Sequence, residues 1–75
     1  MRITIHSGSA APAELQVGTS HHPYEGPLPE IGQTILIPED ATVDDATKGK
    51  VKVTNIVWHY NAAASALWPE IVCRR

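Results

Sequence analysis

The chain has 75 residues, 43% of them hydrophobic and 19% charged, with a formal net charge of −2. That length holds one domain, which buries only about 60% of the surface its unfolded chain exposes. The size argues against an enzyme with a deep pocket, and the charge lacks the positive excess that coats nucleic acid. The composition is foldable and is not that of a disordered tail.

"RITIH" opens the chain with strict alternation. Ile3 and Ile5 share one face and Arg2, Thr4 and His6 the other, the pattern of a half-buried strand. "SGSAAP" ends it. The opening nonapeptide is too short and too polar to read as a secretion signal. "AELQVG", residues 13–18, alternates Leu15 and Val17 and reads as a second short strand.

Residues 18–30, "GTSHHPYEGPLPE", hold two glycines and three prolines. Proline lacks the ladder N–H and restricts its predecessor, so this is the long loop. A loop of that length in a small domain is often functional. It presents His21, His22 and Tyr24. "QTILI" after Gly32 is the next strand, closed by Pro38.

Around the connector "DATVDDATKG", Glu39, Asp40, Asp44 and Asp45 form an acidic run, and Lys48, Lys50 and Lys52 follow at once. Such a run is a solvated turn or a charged docking surface, and Asp44 and Asp45 are the candidates for the latter. One helical turn capped by Asp40 fits here.

"KVKVTNIVWHY", residues 50–60, is the strongest strand. Val51 and Val53 have odd parity, Ile56 and Trp58 even. A bulge near Thr54 and Asn55 would turn all four inward, and we expect one. "NAAASAL" reads as a loop or a short helix from Asn61, because two turns alone are marginal. A last strand, "EIVCRR", is expected to start after Pro69, with Ile71 and Cys73 on one face.

The count is four to five strands with short connections. The expected fold is mainly β: a small single-domain antiparallel barrel or curled sheet, SH3-like, which limits exposed edges.

Pro29, Gly32, Ile35, Ile37, Val51, Val53, Ile56, Trp58 and His59 carry a resemblance across residues 28–75. The order "LPEIGQTILIP", charged connector, "GKVKVTNIVWHY", "WPEIVCR" resembles short accessory proteins of bacteriophages and mobile elements. The resemblance implies a small barrel, and by analogy a protein that binds and blocks a host defence enzyme. It assigns no role to loop 18–27.

Several side chains bear on chemistry. Zinc needs three or four converging ligands. His6, His21, His22, His59 and Cys73 are the candidates, but adjacent histidines in an extended chain point apart, and no CxxC or HxxxH spacing exists. No metal and no cofactor is expected. A Cys73–His59 pair across a sheet is conceivable, yet a reactive thiolate needs a positive, open setting, and a buried structural cysteine is the simpler reading. The single cysteine suits a reducing cytoplasm. No apolar run is long enough to span a membrane.

The chain contains no Phe. Trp58 or Trp68 is therefore expected to fill the core, or else one Trp and Tyr60 form a rim patch that Tyr24 extends. The leading expectation is a non-enzymatic protein-interaction module using His21, His22, Tyr24, Asp44, Asp45, Trp58, Tyr60 and Trp68. Two alternatives stand beside it. One is a nucleic-acid-binding barrel using Lys48, Lys50, Lys52, Arg74 and Arg75 with aromatic stacking. The other is a structural (virion) subunit that assembles with itself through an exposed strand edge.

Overall fold

The computed structural model describes residues 1–8, 11–19 and 21–75. Five strands form one strongly curled sheet: β1 (Arg2–His6), β2 (Ala13–Gln16), β3 (Thr34–Ile37), β4 (Gly49–Asn61) and β5 (Ala66–Arg74). Their spatial order is β2-β1-β5-β4-β3. Three pairings are antiparallel, but β1 runs parallel to β5. The sheet is thus mixed rather than antiparallel throughout, and it is curled and open rather than a closed barrel, with β2 and β3 as its edges.

The parallel pair explains the long loop. Parallel neighbours need a crossover. Here the chain leaves β1, adds β2 at one edge, and must reach β3 at the other. A sheet five strands wide spans about 19 Å, and the segment from Val17 to Gln33 covers that distance.

Period-two alternation decides what faces the core. Ile3 and Ile5 of β1, Val51 and Val53 of β4, Ile71 and Cys73 of β5 and Ile37 of β3 are all buried on the concave side. Ile3 lies beside Ile71 and Ile5 beside Cys73 in register. Cys73 in turn lies beside Val53. The expected bulge is present: the β4–β5 register shifts between Val53 and Asn55. One extra residue at Thr54 restores the inward parity, so Ile56 meets Ile71 and packs on the core. Without it, Ile56 would point to the convex side.

Among the described residues, no second sheet covers the concave side. The connector does so instead. Ala41 and Val43 pack against the core, and a single 3-10 turn at Asp45–Thr47 packs against β2. Thr47 is buried, and its hydroxyl donates to the Asp44 carbonyl at 2.7 Å. Asp44, not Asp40, precedes this turn, and its side chain makes no cap bond. The Arg75 guanidinium donates to the Ala46 carbonyl and ties the end of the chain to the connector.

The segment 61–67 is neither helix nor open loop. Ala62–Ser65 form a tight turn that joins β4 to β5 as one long hairpin. The Asn61 side-chain oxygen accepts from the Ala63 and Ala64 amides at 3.1 and 3.4 Å, and Ser65 takes φ 50°. Local side-chain bonding of this kind favours a turn over helix continuation. β5 therefore begins at Ala66, before Pro69. Proline is tolerated because β1 joins β5 only from Glu70 onward. At Pro69 one flank of the strand is an open edge, where the missing N–H breaks no ladder bond.

Candidate functional site

Beyond Ile56 the hairpin outruns the core. Its inward parity continues as Trp58 beside Pro69 and Tyr60 beside Leu67. None of the described residues covers this extension. Trp58 is 54% exposed, Tyr60 65% and Leu67 63%. Two aromatic rings and a leucine form an apolar surface continuous with the concave face.

Trp68 is not part of it. It pairs with His59, one residue out of phase with Tyr60–Leu67, and so lies on the convex face. The core is filled by Ile, Val and Cys side chains, and neither tryptophan enters it. The reason is placement: both tryptophans fall on the half of the hairpin that extends past β1 and β3, where there is no interior to fill.

On the convex face, Trp68 belongs to a compact polar cluster. The His59 ring stacks on Trp68 with centroids 4.3 Å apart and planes 15° from parallel. The Arg2 guanidinium lies over the same indole, 4.9 Å from its centroid. Glu70 is the hub. Its carboxylate accepts from the Thr4 hydroxyl at 2.5 Å, from His59 Nε2 at 2.7 Å and from Arg2 Nη2 at 3.3 Å. An ionised carboxylate only accepts, so the hydrogen of this pair sits on Nε2. The Thr4 hydroxyl, then His59, and to a lesser degree Arg2 pull the Glu70 carboxyl down to about 2, against an opposing push from burial. Thr4 is buried beneath the group although it faces outward. Arg2 also reaches Glu14 at 3.9 Å. The cluster ties β1, β5 and β4 together, and the buried Arg2 Nε is left without a partner among the described residues.

Cys73 and His59 do not meet. Cys73 is fully buried on the concave side, while His59 sits on the convex side. Burial pushes the Cys73 thiol up from its ordinary value. A neutral buried thiol reacts slowly. A mild thiol reagent is therefore expected to label native protein far more slowly than urea-unfolded protein, and equal rates would show the strand is open.

The long loop makes a separate neighbourhood. The Tyr24 hydroxyl donates to the Pro27 carbonyl at 2.8 Å. Tyr24 lines a shallow cleft with Leu28, Gln33 and Ile35, away from the hairpin aromatics it was expected to extend. His21 and His22 are exposed. The His22 amide donates to Thr19 Oγ1 at 2.9 Å and its carbonyl accepts the Thr19 amide at 3.0 Å. Gly18 enters this turn at φ +80°, and a Cβ there would stand 2.6 Å from the Tyr24 backbone nitrogen. Only glycine fits. Among the described residues, no three His, Cys, Asp or Glu side chains converge as metal ligands.

Asp44 and Asp45 occupy a fourth place. Asp45 pairs with Lys48 at 3.0 Å beside the start of β4. Nine residues of strand separate Gly49 from Trp58, about 30 Å at strand rise. The eight candidate residues, expected as a loop-and-aromatic surface with the acidic segment as a second contact, thus lie in four places: the hairpin's apolar face, its convex face, the loop and the connector. Trp58 and Tyr60 are brought together, with Leu67 as an unforeseen third member. Arg2, Thr4, His59 and Glu70 were missed as a group. Their only trace in the sequence was a polar residue at each outward position, which any half-exposed sheet also shows.

No protein-family model, no curated protein and no solved structure matches the chain.

Proposed function

We propose that this chain is a non-enzymatic protein-interaction module that docks a partner on the apolar face of its β4–β5 hairpin. The observation that carries this reading is the shared exposure of Trp58, Tyr60 and Leu67 on one rigid, hydrogen-bonded element. Single exposed apolar residues are ordinary, but a contiguous group with two aromatics marks an interaction surface. Trp and Tyr supply much of the binding energy at protein interfaces. The convex cluster supports the reading from the other side. By clamping β4 to β5 it holds the hairpin in shape before binding, which lowers the ordering cost. The resemblance to short phage accessory proteins directs attention to proteins of a bacterial host cytoplasm, defence enzymes among them.

The test is affinity capture from a bacterial lysate treated with nuclease, at moderate salt, using wild type and a Tyr60→Ser, Leu67→Ser variant. We expect one protein in near-stoichiometric amount, retained by wild type and reduced at least about tenfold by the variant, given ordinary hot-spot energies. Retention of the same protein by the variant overturns the proposal.

A second reading, binding of single-stranded nucleic acid, draws on one observation. Lys52, Arg74 and His6 lie in a cross-strand row on the convex face, with Lys50 nearby. Lys48 and Arg75, the other two cations expected to take part, are engaged with Asp45 and the Ala46 carbonyl. Capture that disappears with nuclease and falls steeply with salt favours this reading instead.

A further inference from the structure

The hairpin's edge carries an inference separate from that of its apolar face. In an antiparallel pair, alternate residue pairs exchange both backbone hydrogen bonds. Pro69 has no N–H to exchange. Its pairing with Trp58 is thus a non-hydrogen-bonded one, and the N–H and C=O of Trp58 point to the opposite flank of β4. Period two places the backbone groups of Ile56 and Tyr60 on that flank as well. Two observations agree with this assignment. The Val53 amide and carbonyl, before the bulge, already point that way, to Gln33 and Gly32. The Ile56 amide takes the Asn55 side-chain oxygen at 2.9 Å in place of a strand partner.

β3 pairs with β4 only as far as Val53. From Ile56 to Tyr60 the flank is an uncovered edge. The other edges among the described residues are guarded in the usual ways. β3 is four residues long and stops at Pro38. β2 is four residues long and presents Glu14. The open flank of β5 carries Pro69. The β4 edge has a bulge and the Asn55 cap only at its start, and from Val57 to Tyr60 it carries neither charge nor proline. Residues 54–67 include no Asp, Glu, Lys or Arg.

We propose that this edge pairs antiparallel with the same edge of a second copy of the chain, about a two-fold axis through Trp58. An antiparallel edge is complementary to itself under that symmetry. With Trp58 of one copy opposite Trp58 of the other, Ile56 falls opposite Tyr60; the Trp58 pair exchanges both backbone hydrogen bonds, the Tyr60 N–H meets the Ile56 C=O, and the Ile56 N–H must exchange its Asn55 side-chain oxygen for the Tyr60 C=O, while the apolar residues share one face. Charge favours a second copy over a charged foreign strand. The hairpin's outer part, residues 54–67, offers no formal charge to attract such a strand, and two such ends meet without repulsion although each chain carries −2. The charged connector lies at the far end of β4. Edge pairing alone covers less than the roughly 1,200–2,000 Å² of a standard stable interface. The dimer is therefore concentration-dependent, with dissociation expected on the order of 10–100 µM.

Light scattering of purified protein at rising concentration tests this. The expected mass approaches twice the 8.1 kDa of the chain at about millimolar protein and stops there. Trp58→Lys, which sets two ammonium groups face to face across the axis, is expected to weaken the dimer at least about tenfold. Val57→Lys, on the convex side of the same strand, is expected to keep it. Amide exchange at Trp58 and Tyr60 should slow as protein concentration rises, and exchange elsewhere should not. A wild type monomeric at millimolar concentration overturns the inference, as does growth past the dimer or a dimer indifferent to Trp58→Lys. These measurements use no partner, so failure here leaves partner docking standing, and failed capture leaves the dimer standing.

Discussion

Ile71→Ala is expected to lower the unfolding free energy by about 3–5 kcal/mol, the upper part of the range for truncating a buried isoleucine. Ile71 has no exposed surface. It sits on the central strand between Ile3 of β1 and Ile56 of β4, so the missing methyl groups leave a void bordered on both sides by ladder-paired backbone. Hydrogen-bonded strands cannot close inward as a loop can, and the cavity cost is retained. The consequence is large because the domain is small. At ordinary per-residue values 75 residues confer about 4–11 kcal/mol in all. Urea unfolding followed by circular dichroism measures the effect. The variant's midpoint should fall by about a quarter or more, and a loss under about 1 kcal/mol would mean that Ile71 is not at the centre of the core.

Acid should weaken the protein through Glu70, and Glu70→Gln should remove much of that dependence. The folded carboxyl titrates at about 2 against an ordinary 4.5, held down first by the Thr4 hydroxyl and then by His59 and Arg2. Between those values the unfolded chain binds a proton that the native one does not, so stability rises with pH across the interval. The contribution is fully present above about 4.5 and is lost as the pH falls toward 2. A displacement of that size corresponds to roughly 3 kcal/mol. Arg2 and His59 are 32% and 36% exposed, and solvent screening of such partners reduces the expectation to about 2 kcal/mol. Glu70→Gln should cost a similar amount at pH 7, since it leaves Arg2 and His59 without their shared carboxylate. Urea titrations of both proteins at pH 7, 5 and 3 give the answer. Parallel losses in wild type and variant would place the acid sensitivity elsewhere.

The elements with a local physical cause were legible before any coordinates. Ile3 and Ile5 alternate, "QTILI" and "KVKV" are β-branched, and three prolines exclude strand from the loop. The bulge at Thr54 was legible for the same reason: parity changes sign between Val53 and Ile56, and only an extra residue reconciles it with one buried face. What failed locally was the segment around Pro69. The alanine run read as a loop or a short helix, and it is the shorter connection, a four-residue turn; proline read as the start of the last strand, yet the open flank of β5 lets the strand begin at Ala66.

The rest depended on which strands became neighbours. The sequence determines the inward and outward sets of each strand, because alternation is a property of the chain alone. Tertiary structure decided that β1 lies parallel beside β5, and that choice places Arg2 and Thr4 next to Glu70, 66 or more residues away along the chain. It also decided that the hairpin outruns both neighbours, which leaves Trp58 and Tyr60 exposed where composition alone expected a tryptophan in the core. Burial is set by what covers a residue. Nothing in the residues near Trp58 says that β1 and β3 stop short of it.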